Sequence, residues 1–156
     1  MTKTLRECFE SHRGHLIGKI DHFFDVYEPH FTRFINTPVK ILEIGVDQGG
    51  SLELWQQYFG PAASIHGIDI NPECKNLETQ GFTIHLGSQA DEGFLRTVND
   101  AYGPFDIVID DGSHLMEHQI LSFETLYPLV DKNGIYICED AFTSYWKEYG
   151  KRDLNR

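Results

Sequence analysis

The stretch Phe105-Asp-Ile-Val-Ile-Asp-Asp-Gly-Ser-His-Leu-Met-Glu-His118 decides the expected fold. Its apolar run 107–109 ends in two carboxylates and a glycine, a pattern typical of the carboxyl end of a buried parallel strand. A second run, 134–140, ends in Cys138-Glu-Asp140. Open α/β sheets bind their ligands at such strand ends. The two stretches therefore predict one site that holds four carboxylates and a histidine.

Strand and helix patterns alternate along the rest of the chain. We predict five strands, at 39–44, 65–70, 82–86, 107–109 and 134–140. Such alternation predicts an α/β fold with a doubly wound, Rossmann-like parallel sheet, right-handed crossovers and three layers. We interpret 1–156 as one domain, comprising a helical N-terminal cap (1–37), a Rossmann-like core (38–146) and a polar tail (147–156).

The cap is expected to be helical over residues 4–35. Its apolar residues recur at steps of three and four positions, as a helix that packs on a core requires. They are Leu16, Ile20, Phe23, Phe24, Tyr27 and Phe31. Pro29 is expected to end or interrupt this helix, because proline lacks the backbone donor and crowds the preceding turn.

Composition excludes several classes of partner. Thirteen basic and 24 acidic side chains give a net charge of −11, which argues against nucleic acid. The sequence has no polybasic helix, no apolar run of membrane-spanning length and no signal peptide, so a membrane partner is not expected. Cys8, Cys74 and Cys138 are odd in number and widely spaced, which favours a reducing compartment. We expect a cytoplasmic protein.

A glycine-rich turn follows the first strand, as Glu43-Ile-Gly45-Val-Asp-Gln-Gly49-Gly-Ser51. Small residues there let the backbone approach a ligand, and Ser51 is a candidate helix N-cap. Asp69, at the end of the second strand, can accept both hydroxyls of a ribose. Asp47 replaces the second glycine of a dinucleotide fingerprint, and Glu43 would repel a phosphate but suits a cationic amino-acid group. An ordinary tight turn remains the alternative.

These residues resemble the first motif of class I S-adenosylmethionine-dependent methyltransferases. Glu43, Gly45 and Gly49 match its E-x-G-x-x-x-G form, and Asp69 matches the acidic residue after the second strand. Together with 67–72, 110–114, 139–140 and 143–146, the run 42–52 is similar to the metal-dependent sugar O-methyltransferases of the macrocin and mycinamicin type, and to the cephalosporin hydroxylase-like proteins. The resemblance implies S-adenosyl-L-methionine as cofactor. The candidate cofactor-binding residues are Glu43, Gly45, Gly49, Ser51, Asp69, Ser88, Gln89 and Asp110.

The fourth and fifth strands are expected to be neighbours, so Asp111 can converge with Glu139 and Asp140. Three adjacent carboxylates raise one another's pKa values unless a cation neutralises them, and oxygen ligands favour Mg²⁺, Mn²⁺ or Ca²⁺ over zinc. The resemblance implies the same three residues as ligands of Mg²⁺ and His114 as the catalytic base. Histidine side chains titrate near neutral pH and can take the proton of an acidified hydroxyl. The implied function is O-methylation of a sugar or small natural product.

Other interpretations stay open. These carboxylates could be strand-end caps without a ligand. The pattern His114-Leu-Met-Glu117-His118 also matches the H-x-x-E-H motif of inverted zinc peptidases, with Glu117 as base, whereas a methyltransferase would have His118 packing behind the site. Methyltransferases of this class usually carry two further strands, so a truncated, non-catalytic cofactor-binding domain is a third interpretation. An uncovered fifth strand would favour a homo-oligomer.

Overall fold

A five-stranded parallel sheet organises the chain in the computed structural model, which describes residues 3–149. The strands are β1 (Lys40–Ile44), β2 (Ser64–Asp69), β3 (Thr83–Leu86), β4 (Ile107–Asp110) and β5 (Ile135–Cys138), in the spatial order β3-β2-β1-β4-β5. Every neighbouring pair is parallel. The predicted number of strands and the doubly wound arrangement are confirmed. The part of the predicted polar tail at 150–156 lies outside the described residues.

Helices cover both faces of this sheet. They are α1 (Leu5–Ser11), α2 (Phe23–Phe31), α3 (Gly50–Phe59), α4 (Glu92–Tyr102) and α5 (Met116–Leu126). Side chains alternate along a strand, so Ile41 packs in the core with α1, α2 and α3, while Leu42 packs in the core with α4 and α5. Two separate cores therefore confirm the three-layer architecture.

The N-terminal cap differs from its prediction. Residues 12–22, which we call the strap, form neither a helix nor a strand and separate α1 from α2. Leu16 and Ile20 lie on the strap with 71% and 40% of their surface exposed, so their helical spacing was misleading. Gly14 and Gly18 disfavour a helix here, because glycine loses more backbone entropy than any other residue. Pro29 does not end α2, which continues to Phe31.

The order of the strands creates a crevice at the carboxyl ends of the central strands β1 and β4. The chain runs from β1 to β2 and β3 on one side, and returns to β4 and β5 on the other. The loops that follow β1 and β4 therefore leave the sheet in opposite directions, which is where doubly wound proteins bind their ligands. Within the described part of the chain, no helix has the length and apolar character that crossing a membrane requires.

Candidate active site

A cavity of about 460 Å³ opens at this crevice. Such a volume is within the usual range for small-molecule sites. Five of the predicted cofactor-binding residues line it, namely Gly45, Ser51, Asp69, Ser88 and Gln89. The strap lines it too, through Leu16, Gly18 and Lys19, although no ligand role was predicted for the strap.

The turn between β1 and α3 depends on two glycines with left-handed backbones. Gly45 has a φ of +91° and lies so close to the next loop that a Cβ atom would collide with the backbone of Asp111. Gly49, with a φ of +87°, is the N-cap residue of α3. The prediction of Ser51 as N-cap is therefore wrong, since the helix begins one residue before it. The Ser51 hydroxyl instead donates a hydrogen bond of 2.8 Å to Glu43 Oε2.

Asp69 joins the end of β2 to the glycine turn. Its Oδ2 accepts hydrogen bonds from the backbone N–H groups of Val46 (2.9 Å) and Asp47 (3.1 Å), and its Oδ1 accepts one from Asn71 (2.8 Å). A carboxylate offers about four lone-pair sites, so three donors leave capacity for a ligand hydroxyl. The side chain that was predicted to bind ribose thus also shapes the cavity wall.

Glu43 is fully buried and does not line the cavity. Its Oε2 accepts hydrogen bonds from Ser51 and from Trp55 Nε1 (3.0 Å), while its Oε1 lies 3.1 Å from Lys19 Nζ. Burial raises the pKa of Glu43, and the Lys19 ammonium opposes this rise. The cation that this carboxylate meets therefore belongs to the chain itself, rather than to a bound ligand as expected.

Asp110 is also fully buried and faces the α5 side of the sheet. It accepts hydrogen bonds from Gln89 Nε2 (3.0 Å) and from the Tyr136 hydroxyl (3.1 Å). Burial raises its pKa, and these hydrogen bonds counteract the rise. Gln89 Oε1 in turn accepts the N–H of Ser113 at 2.6 Å, on the wall of the cavity. Asp110 thus supports the wall from behind, in contrast to its expected direct contact with the cofactor.

Asp111, His114 and Asp140 converge beyond the ends of β4 and β5. One potential ligand atom from each lies within 4.8 Å of the other two. His114 Nε2 is 3.8 Å from Asp111 Oδ1 and 3.7 Å from Asp140 Oδ2. His114 and Asp140 both have left-handed backbones, with φ values of 56° and 52°, a strained conformation that often occurs at functional sites.

Two buried atoms of this cluster lack a hydrogen-bond partner among the residues described. They are Asp140 Oδ1 and His114 Nδ1. Buried polar atoms are nearly always paired, so an unpaired carboxylate oxygen beside a second carboxylate is suited to bind a cation. The two carboxylates supply the oxygen ligands that a hard divalent ion such as Mg²⁺ or Mn²⁺ prefers, and the imidazole lies beside them. The residues present therefore fit the predicted metal.

Glu139 was predicted to be the third carboxylate ligand, but it is turned inwards. Its Oε1 accepts hydrogen bonds from Lys19 Nζ at 2.6 Å and from the Tyr27 hydroxyl at 2.5 Å. Burial raises the pKa of Glu139 to about 7, while Lys19 acts in the opposite direction. Neither Lys19 nor Tyr27 was predicted to lie at the site. No local pattern could have indicated this, since the Lys19–Glu139 contact spans 120 positions of sequence.

The comparisons with known proteins agree with this fold and site. No protein-family model matches the chain. Over 135 residues it is 45% identical to the 8-demethyl-8-(2-methoxy-alpha-L-rhamnosyl)-tetracenomycin-C 3'-O-methyltransferase of Streptomyces olivaceus. This alignment covers 82% of this chain and 34% of that protein. It is 41% identical over 140 residues to the demethylmacrocin O-methyltransferase of Streptomyces fradiae, with 85% and 35% covered.

Among solved structures, the MycE methyltransferase of the mycinamycin biosynthetic pathway, in complex with Mg and SAH, superposes with a TM-score of 0.86. It is 36% identical, over 96% of this chain and 43% of that one. The chain has the fold of the class I S-adenosylmethionine-dependent methyltransferases. It spans about a third of the length of these two curated relatives. The recognition and the fold class predicted from the sequence are thereby confirmed.

The structure does not arrange the H-x-x-E-H pattern as a zinc-binding motif, because its two histidines do not share one helix. His118 lies in α5, whereas His114 lies in the loop before that helix and belongs to the carboxylate cluster. His118 Nδ1 lies 2.8 Å from the Ser113 hydroxyl, and His118 lines the cavity. The expectation that it packs behind the site is therefore wrong, and His118 joins the residues that can contact a cofactor.

Proposed function

We propose that this chain transfers a methyl group from S-adenosylmethionine to a hydroxyl group of a sugar or small natural product, in a reaction that depends on Mg²⁺. The observation that carries this proposal is the position of Asp111, which lines the cavity and also belongs to the carboxylate–histidine cluster. A methyl donor in the cavity and an acceptor at the cluster would therefore be adjacent. The relatives support the acceptor class, since they are named as O-methyltransferases of glycosylated natural products.

The cofactor would be held by the turn after β1 and by the ends of β2 and β3. Gly45 and Ser51 offer backbone and hydroxyl groups, Asp69 an acceptor for the ribose, and Ser88 and Gln89 a polar wall. The other three predicted residues would act from behind this wall: Gly49 by ending the turn, and Glu43 and Asp110 through their hydrogen bonds. The MycE complexes with Mg and SAH support the choice of cofactor and metal.

Asp111 and Asp140 would hold the divalent cation, with Glu139 as the third predicted ligand. When bound, the cation would make the acceptor hydroxyl more acidic. His114 would take the hydroxyl proton as the general base while the oxygen attacks the sulfonium methyl carbon. The new O–CH₃ bond gives the methyl ether, the S–CH₃ bond breaks, and S-adenosylhomocysteine is the leaving group. The attacking oxygen, the methyl carbon and the sulfonium sulfur must lie in line, so the loops after β4 and β5 would supply much of the acceleration by positioning.

The cofactor assignment is tested by calorimetry with S-adenosylhomocysteine. We expect saturable binding with one site per chain, and no binding at millimolar concentration would contradict the proposal.

His114→Ala then tests catalysis. We expect methyl transfer to a glycosylated acceptor to fall by about 10² to 10⁴-fold, because a positioned general base contributes about that much. Affinity for S-adenosylhomocysteine should stay within about twofold, since His114 does not line the cavity. His30→Ala, at an exposed position of α2, is the matched control and should keep full activity. Unchanged turnover in His114→Ala would exclude it as the base.

A non-catalytic cofactor-binding domain is the second candidate. It is favoured by the Lys19 ammonium, which pairs with Asp111 and Glu139, two of the three predicted metal ligands. Under this alternative, S-adenosylhomocysteine binds but no hydroxyl acceptor is methylated, with or without added Mg²⁺. We also propose that the chain forms a homo-oligomer, because β5 is an outer strand of the described sheet and exposed aromatic side chains lie beside it.

A further inference from the structure

Lys19 Nζ is surrounded by three carboxylates from three different strand ends. It lies 3.1 Å from Glu43 Oε1, 2.7 Å from Asp111 Oδ2 and 2.6 Å from Glu139 Oε1. Only 1% of its side chain is exposed. An unpaired buried charge is very costly, so one ammonium serves here as the common counter-ion of three buried or partly buried carboxylates.

The same ammonium divides the carboxylates between two cations. Asp111 presents Oδ2 to Lys19 and Oδ1 towards His114. Glu139 Oε1 accepts hydrogen bonds from Lys19 and Tyr27, and Glu139 is not part of the cluster formed by Asp111, His114 and Asp140. A divalent ion that took Glu139 as a ligand would lie within a few ångströms of Nζ, where two positive charges repel strongly. Lys19 and a three-carboxylate metal site thus exclude one another.

Lys19 also belongs to the strap, which covers one side of the cavity. The strap packs closely on α3, since a Cβ atom at Gly50 would collide with the carbonyl oxygens of His15 and Leu16. One end of the strap is held by Glu53, whose Oε1 lies 2.6 Å from His15 Nδ1. At the other end, the Lys19 ammonium is the anchor. The wall of the cavity and the ligands of the metal are therefore connected through one side chain.

We propose that Lys19 is a built-in counter-cation that competes with the divalent metal for Asp111 and Glu139, and that metal binding releases the Lys19 end of the strap. This inference rests on the proposed function, because it requires that the cluster bind a divalent ion. It adds a residue to the site and predicts that strap closure and metal affinity change in opposite directions.

Lys19→Met tests the competition, because methionine keeps the length of the side chain and removes its charge. We expect the affinity for Mn²⁺, measured by the electron paramagnetic resonance of the free ion without cofactor, to rise by at least about tenfold. Affinity for S-adenosylhomocysteine, measured in EDTA, should fall by about threefold or more as the strap loses its anchor. The matched control is Lys132→Met, which removes an exposed charge and should change neither value. A misfolded variant would lose both affinities, whereas the inference requires a gain in one and a loss in the other.

A second pair of variants shows whether Glu139 is the residue released. Relative to Glu139→Gln, the double variant Lys19→Met/Glu139→Gln should gain clearly less Mn²⁺ affinity than Lys19→Met gains over the unmodified chain, since only Asp111 is then released. The double variant also removes opposite charges together, which protects folding. A tenfold gain in this background too would contradict the role of Glu139.

The unmodified chain supplies an independent measurement. Trypsin cleavage after Arg13 and Lys19 in the strap, followed by mass spectrometry, should be several-fold faster in saturating Mg²⁺ than in EDTA, while other sites are cleaved no faster. Equal or slower cleavage of the strap overturns the inference. Lack of Mn²⁺ binding by the unmodified chain would overturn the proposed function as well, whereas a failure confined to Lys19→Met and the strap would overturn only the competition.

Discussion

At the scale of single residues, the main feature of this protein is that its buried carboxylates are matched by specific donors. Glu43 and Asp110 are fully buried and Glu139 is only 3% exposed. Each accepts hydrogen bonds from side chains of other elements, including Trp55 and Tyr136. A buried charge without partners costs several kcal/mol, so these hydrogen bonds are needed for folding as much as for chemistry. The candidate site is therefore also a determinant of stability.

Asp110→Ala tests this conclusion. The substitution leaves the Tyr136 hydroxyl without its acceptor and removes one of the two acceptors of Gln89 Nε2, which keeps the Ser122 hydroxyl. We expect the free energy of unfolding in urea to fall by about 2–4 kcal/mol, from the lost hydrogen bonds and the small cavity. Asp100→Ala, at an exposed position of α4, is the control and should change it by less than about 0.5 kcal/mol. A loss below about 1 kcal/mol for Asp110→Ala would show that water replaces the carboxylate.

At the scale of elements, β2 and β3 are joined by a pair of histidines on one face of the sheet. His66 Nδ1 lies 3.1 Å from His85 Nε2, and the two rings stack with centroids 5.4 Å apart. Burial, with a smaller contribution from His85, lowers the pKa of His66 from 6.5 to about 4. Burial likewise lowers the pKa of His85. Both rings are thus neutral in the folded protein at neutral pH.

This pair predicts a loss of stability in mild acid. As pH falls from 6.5 towards 4, the unfolded chain takes up a proton at His66 before the folded chain does, so the folded state is progressively disfavoured. Urea unfolding at pH 7, 5.5 and 4 should show this loss, and His66→Gln should reduce it relative to His30→Gln, which substitutes an exposed histidine. An equal acid dependence in both variants would assign the loss to other groups.

At the scale of the whole molecule, β5 forms one edge of the sheet over residues 3–149. Phe123 and Tyr127 of the neighbouring segment are 44% and 56% exposed and stack on each other with centroids 4.8 Å apart. Phe123 also packs edge-on against Tyr136 of β5. An edge strand with exposed aromatic side chains beside it is a template for association. The predicted homo-oligomer would therefore use this edge.

Sedimentation velocity over a range of concentrations tests the association. We expect a reversible oligomer whose dissociation constant rises by about tenfold or more in Phe123→Ser, because an apolar contact at the interface is lost. The melting temperature of the monomer should change little, as this side chain is already half exposed. Val26→Ser, which removes a 55% exposed apolar residue of α2, should leave the association unchanged. A monomer at every concentration would contradict the prediction.

The sequence by itself determined the five strands, their parallel direction, the glycine turn and five of the cofactor-binding residues that line the cavity. These features depend on short-range patterns: apolar runs that end in carboxylates, and glycines such as Gly45 and Gly49 where the backbone must be left-handed. Even the direction of Asp110 follows from the alternation of side chains along β4. The strap was mistaken for a helix because the spacing of Leu16 and Ile20 imitates one, although neither residue is buried.

Only the tertiary structure decided which charges neutralise one another. Lys19 comes within hydrogen-bonding distance of Asp111 and Glu139 across 92 and 120 positions of sequence, and a contact of that range leaves no periodic signal in one chain. Whether Glu139 faces a metal or an ammonium depends on which cation the fold places nearest, and on how much water that placement excludes. That balance of burial and Coulomb energy exists only once the strap and the strand ends are packed together.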